Sequence, residues 1–391
     1  MTSKSTRRTF VATAMAGVAA IAMFTVGAVA QEKEPIVIGT SNQLSGHTAT
    51  VGRPFVAGAN TYINWINDQG GINGRKIRFI ALDDQGNPDT GIANLRQLLS
   101  EKALVIFQPV SSAVAAPMLP ILAENNAIMV SYTGVEAMYG NPNYFAVGLD
   151  TTTTLGIVAN YIKSVAGDTK PKVSFLNVET PASIGARDAV IEKMKALGWE
   201  IGELQTYPPK VTDFSPQIAK LAASSPDYIV GTVVDGFLPQ VVMGMRRAGI
   251  KAPLVNFQAG NAESSFKTLA TDQFLAVRDF LDPVEKEPAM DQVREIAEKY
   301  GATGEMTSNT FTKGWVTAAV TIEALKKCEP DCDQTKLKAA LLTTDYDTGG
   351  LGPRITFSET QRVGAQSGRL YKWDPAKEAA VPATDFIESL K

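Results

Sequence analysis

Histidine is nearly missing from this chain of 391 residues, with His47 the single example, and cysteine is confined to Cys328 and Cys332. A nucleophile of the Ser-His-Asp or Cys-His kind needs a placed imidazole, and neither arrangement finds support in the spacing. A closed zinc site would also lack ligands. Positive charge is not in excess either: 37 Lys and Arg face 40 Asp and Glu, with no basic stripe. That balance argues against nucleic acid as a partner. Beyond residue 30 no stretch is apolar enough to span a bilayer, and no low-complexity linker or short-period repeat interrupts the chain.

What is present begins with Lys4, Arg7 and Arg8 ahead of an uncharged stretch, residues 9–30, that ends in Ala28-Val29-Ala30. This order reads as a secretory signal peptide cleaved after Ala30; the rival reading, a retained anchor, fits the small residues at its end less well. The run from Thr6 to Val11 fits a twin-arginine signal and an ordinary n-region alike. Removing residues 1–30 takes away three basic and no acidic residues, leaving 34 against 40, a net charge of −6. About 360 residues remain, more than one core usually supports, so two domains are expected. In an oxidising compartment the C-x3-C pair favours a small disulfide loop, Cys328 to Cys332, over metal binding.

From residue 36 onward short β-branched runs alternate with helical patterns, as parallel strands joined by crossover helices do. The first series has strands at 36–39, 76–82, 104–107 and 127–130, with helices at 55–68, 89–101 and 113–125. A second series has helices at 153–165, 184–197, 214–223 and 238–248 and strands at 172–177, 200–206, 228–234 and 253–257. The expected fold is therefore α/β, two doubly wound parallel-sheet lobes, with helices at 290–300, 312–327 and 337–342 docked on one of them.

The acidic run Asp83-Asp84-Gln85-Gly86-Asn87-Pro88-Asp89 matches no calcium loop, and Asn87 or Asp89 before a helix reads as an N-cap. Gly70-Gly71-x-x-Gly74 follows a helix and leads into a strand, the reverse of a dinucleotide fingerprint. No cofactor is implied. Open parallel sheets bind ligands at the carboxyl ends of their strands. Two such loops carry hydroxyls: Val110-Ser111-Ser112, opening a helix whose free N–H groups suit an anion, and Ser131-Tyr132-Thr133-Gly134. Ser111 or Ser112 as a simple N-cap is the blander reading, and His47, in the polar loop 45–52, is read as an exposed loop histidine in preference to a ligand contact.

Several segments, taken in order, resemble the leucine/isoleucine/valine-binding family of type I periplasmic receptors that serve ABC importers. They are Ile36-Val37-Ile38-Gly39 with Leu44-Ser45-Gly46, Ile66-Asn67-Asp68-Gln69-Gly70-Gly71-Ile72-Asn73-Gly74-Arg75-Lys76-Ile77, then Asp83-Asp84. Later echoes are Asp213-Phe214-Ser215, Arg247-Ala248-Gly249-Ile250 and Gly352-Pro353, so the likeness spans nearly the whole mature chain. It implies a Venus-flytrap: lobe 1 from 35–150 plus 283–352, lobe 2 from 151–282 plus 353–391, joined by three hinge crossings near 148–152, 279–284 and 350–354. It implies a periplasmic monomer that closes on a small-molecule ligand and is read by the importer's membrane permease, with no reaction. A sensor feeding a signalling partner, or an enzyme on the same scaffold, shares the pattern.

Carried onto this sequence, the resemblance puts Val110, Ser112 and Thr133 at the ligand carboxylate, with Ser111 and Tyr132 beside them. The chain departs from the pattern at Val135, where a threonine is expected, and at Val51, Ala182 and Val234, where tyrosines are expected. Gln258 stands where amino-acid binders place an acidic residue for the ammonium, and glutamine cannot neutralise that charge. Asp235, close to Phe237, is the candidate substitute. An amine-free hydrophobic or aromatic carboxylate accounts for Gln258 better than leucine does, while a branched-chain amino acid is the family default.

Overall fold

The computed structural model describes residues 1–2, 33–46, 49–257 and 261–390. The expected leader, His47 and Gln258 lie outside the described residues.

The first lobe is built from β1 (Ile36–Asn42), α1 (Ala49–Asp68), β2 (Ile77–Asp83), α2 (Pro88–Ser100), β3 (Val105–Phe107), α3 (Ser112–Ala115), α4 (Leu119–Glu124), β4 (Ile128–Ser131) and β5 (Tyr144–Ala146). All its strands are parallel, in the order β2-β1-β3-β4-β5. All seven residues of β1 are buried, which is why it reads as a continuous run rather than an alternation. The acidic run after β2 is consumed locally. Asp83 accepts the Leu44, Ser45 and Gln85 N–H groups, and the Asn87 side chain caps α2 through Asp89 and Thr90. The single helix expected over 113–125 is broken into α3, a 3₁₀ turn at Ala116–Met118 and α4, because Pro117 and Pro120 remove backbone donors.

The second lobe runs through α5 (Thr151–Ala166), β6 (Lys172–Val178), α6 (Pro181–Ala196), β7 (Glu200–Tyr207), α7 (Ser215–Ser224), β8 (Tyr228–Thr232), α8 (Leu238–Arg247), β9 (Leu254–Asn256), α9 (Glu263–Leu269) and β10 (Phe274–Arg278). The chain then forms α10 (Pro288–Lys299), α11 (Asn309–Cys328), α12 (Gln334–Leu342), β11 (Asp345–Tyr346), β12 (Ile355–Thr356), β13 (Ser367–Asp374), β14 (Ala379–Pro382) and β15 (Ile387–Glu388). β13 joins β10 antiparallel, giving a second sheet in the order β14-β13-β10-β9-β8-β6-β7 with β15 on β13. α9, β10 and this antiparallel edge were not legible as elements in the sequence.

The third passage between sheets differs from the expected 350–354. Ala146 N–H donates to Arg362, and Gly364 and Ala365 donate to Ala146 and Val147, so residues 362–365 extend the first sheet beside β5. Only at Ser367 does the chain enter the second sheet. Residues 351–352 instead pack on the second passage, with Leu281 N–H donating to Leu351.

α11 lies along α1, and both begin at the same end of the lobe. Their contact is backbone to backbone: a Cβ on Gly58 would sit 2.0 Å from the Phe311 carbonyl oxygen, and one on Gly314 2.0 Å from that of Phe55. Farther along, Trp315 packs against Tyr62 and stacks with Trp65. At the C-terminal end of α11, Cys328 and Cys332 form a disulfide. The buried Glu329 inside that loop receives two bonds, 2.8 and 2.9 Å, from the Arg75 guanidinium of the glycine-rich turn.

No neighbouring side chain can yield at the glycine contact, since backbone stands in the way. Gly314→Ala should therefore destabilise the protein by about 1–3 kcal/mol, the usual cost of overpacking, read as a lower urea midpoint with an unchanged slope. Gly304→Ala, where a Cβ meets nothing within 4 Å, should cost far less and is the control.

Candidate functional site

A cleft of about 760 Å³ opens between the lobes, within the range of small-molecule sites. The first lobe contributes the start of α1 (Ala49, Thr50, Val51), the loop after β4 (Tyr132, Thr133) and the start of α11 (Ser308, Asn309, Thr310, Lys313). The second lobe contributes Asp235, Asn261, Ala262 and Ser264. Two long helices thus present their N-terminal, electropositive ends to one cavity. At α11 the Ser308 side chain caps Thr310 N–H, and the Asp282 carboxylate takes Asn309 N–H at 3.1 Å.

Lys313 is the buried charge in the first-lobe wall. Its side chain is 7% exposed, its Nζ lies 3.0 Å from Asp279 Oδ1, and the Tyr132 ring centroid is 5.9 Å away. Asp279 is itself fully buried and also accepts the N–H groups of Phe280 and Leu149. Burial, with the Asp279 charge behind it, pushes the Tyr132 phenol up to about 12. At the rim Arg53 pairs with Glu305.

On the opposite wall, Asp235 Oδ1 accepts Ser265 Oγ at 2.6 Å and Ala262 N–H at 3.1 Å. Burial raises its carboxyl above the ordinary range, against the opposing pull of those two bonds.

Of the residues singled out in the sequence, Val51, Tyr132, Thr133 and Asp235 line this cleft. Val110, Ser111, Ser112, Ala182 and Phe237 are not among its lining residues. Val110 N–H is spent on Asn42 Oδ1 and its carbonyl accepts from the Tyr132 hydroxyl, so the pair knits together the loops after β1, β3 and β4. Ser111 is the N-cap of α3 without a side-chain capping bond, and Ser112 is exposed. Thr133 donates its hydroxyl to the Leu149 carbonyl at 2.8 Å, leaving it no proton for a ligand oxygen. Phe237 packs edge-on to Tyr207 and Phe214, and Ala182 sits half-buried at the start of α6.

Lys313, Thr310, Arg53 and Asn261 were missed. A signal existed for Lys313, the single charge between Asn309 and Ile322 in a segment whose remaining residues are polar-uncharged or apolar. Arg53 and Asn261 carry no pattern of their own; only the folded chain brings them to the cleft.

A model of periplasmic binding proteins matches residues 35–379 of this chain. The Leu/Ile/Val-binding protein homolog 3 of Brucella melitensis is 24% identical over 367 residues, covering 90% of this chain and 95% of the relative. A branched-chain amino acid ABC transporter structure from Thermus thermophilus with bound valine superposes with a TM-score of 0.74 at 19% identity, covering 92% of this chain and 97% of the other. A fatty acid ABC transporter substrate-binding protein from Thermomonospora curvata also gives 0.74 at 19% identity, covering 91% and 93%.

The position of Asp235 gives a signed expectation. A carboxyl whose pKa is higher folded than unfolded binds more protons when folded, so its ionisation costs stability as pH rises through that interval. Asp235→Asn should raise the Tm of the ligand-free protein at neutral pH. The advantage should shrink below pH ~4, near the ordinary aspartate pKa, where the native acid is protonated in both states. Scans at pH 7 and pH 3.5 check the difference, and an equal gain at both would remove Asp235 ionisation as its cause.

Proposed function

The chain belongs to the periplasmic binding protein family, and on that premise we propose that it captures a small hydrophobic or aromatic carboxylate and delivers it to an ABC importer. It is an extracytoplasmic solute-binding receptor. The observation that carries the ligand class is the cleft itself: two helix N-termini and the Lys313 ammonium, held from behind by Asp279, on one wall, against Asp235, whose ionisation burial disfavours. The other lining carboxylate, Glu305, is paired with Arg53 at the rim. The similar structures include one with bound valine and a fatty acid ABC transporter substrate-binding protein, so the same scaffold serves acids with and without an amine.

In this reading residues 1–30 are the export signal, by the general or the twin-arginine route. The mature protein acts as a monomer, with one lobe on the first sheet and one on the second, and the permease subunits recognise the closed form. No catalytic step is assigned. Gln258, in place of an acidic residue, disfavours a ligand ammonium: a buried cation facing neutral groups costs several kcal/mol, and the matching acid avoids that cost.

A thermal-shift panel pairing leucine with 4-methylpentanoate and phenylalanine with phenylpropanoate tests the preference, since a ligand that binds only the folded state raises Tm. The acids should produce the larger shifts, and Gln258→Glu should move the preference toward the amino acids. Stabilisation by leucine with none by either amine-free acid would refute the ligand class and leave the receptor standing.

A further inference from the structure

We propose that Lys313 is the anchor for the ligand's anionic group, in place of the hydroxyls of the strand-end loops. The inference rests on the receptor reading and names the contact that sets its specificity.

An ammonium carries three N–H donors, and Asp279 is the one ion-pair partner of Lys313 among the described residues. Asp279 also holds Phe280 and Leu149 N–H, so it is fixed in place and positions the lysine rather than competing for the cleft. One turn earlier on the same wall, Asn309 is 7% exposed and its Nδ2 is buried without a partner among the described residues. A buried donor left unmade is costly, and a ligand oxygen between Asn309 and Lys313 would satisfy it. The Tyr132 ring, also part of this wall, gives the adjoining carbon chain an apolar face. Three other candidates are engaged: Thr133 with Leu149, Val110 N–H with Asn42, and Arg53 with Glu305. A carboxylate at Lys313 is also held on the first-lobe wall, opposite Asp235, and an amine beside it would face the lysine's own charge.

The test compares each acid with its uncharged amide, 4-methylpentanoate with 4-methylpentanamide and phenylpropanoate with phenylpropanamide, by calorimetry. The native protein should prefer the acid by at least roughly tenfold, as expected for a hydrogen bond to a charged group. The double variant Lys313→Gln/Asp279→Asn removes the ion pair as a unit, leaving no lone buried charge, and should lose the preference. Lys313→Arg should keep much of it. If the double variant prefers the acid as strongly as the native protein, the anchor lies elsewhere while the receptor reading stands. If the native protein binds acid and amide equally, the anion anchor is wrong. If it binds neither acid, the proposed ligand class and the anchor fall together. Should the double variant not fold, the ¹⁵N resonance of Lys313 Nζ, assigned by its loss in Lys313→Arg, decides. It should move with the acid and stay with the amide, and the reverse overturns the proposal.

Discussion

A cation inside a protein wall must be matched, and the match between Lys313 and Asp279 stands where several stretches of chain meet. Asp279 follows directly on β10, holds Leu149 N–H of the first passage, and leaves so little room beside its carbonyl that a Cβ on Gly352 would approach to 2.8 Å. Removing either partner would strand a buried charge, at a cost of about 3–5 kcal/mol. Its neighbour Arg278 does the complementary work within the second lobe. That guanidinium is fully buried, pairs with Glu263 at 2.9 Å, donates to the Asn261 carbonyl and lies 4.6 Å from the centre of the Tyr371 ring. Successive residues of an extended chain face opposite ways. Here one secures the second sheet and the next binds the first lobe to the passages.

Much of the architecture was legible because it depends on local signals. Continuous apolar runs such as β1 announce parallel strands buried on both faces, and Asn87-Pro88 announces the start of α2. The misses have physical causes. β5 and β10 are short and become strands only by pairing with distant neighbours, β5 with β4 and β10 with β9 and β13. The third passage was placed near 350–354 by the family resemblance. The register of residues 362–365 against β5 decides it, and that is a pairing no local motif encodes.

The cleft was legible by location and much less by contact. Strand-end reasoning led to Tyr132 and Thr133, and both are there. It could not foresee that the Thr133 hydroxyl turns back to Leu149, because that acceptor lies sixteen residues away on the first passage. Nor could it pair Lys313 with Asp279, which lie on separate stretches of chain, one in α11 and the other just after β10.

The glycine contact between α1 and α11 bears on how this chain can change over time. Gly314 directly follows Lys313, so the closeness of the two helix backbones also fixes how deep the lysine sits. A larger residue at position 58 or 314 would push α11 outward and carry the ammonium away from Asp279. Mutational drift at a spot that touches no ligand would thus alter the electrostatics of the cleft. Changes in what this receptor recognises are available through the helix crossing as well as through the residues that line the cavity.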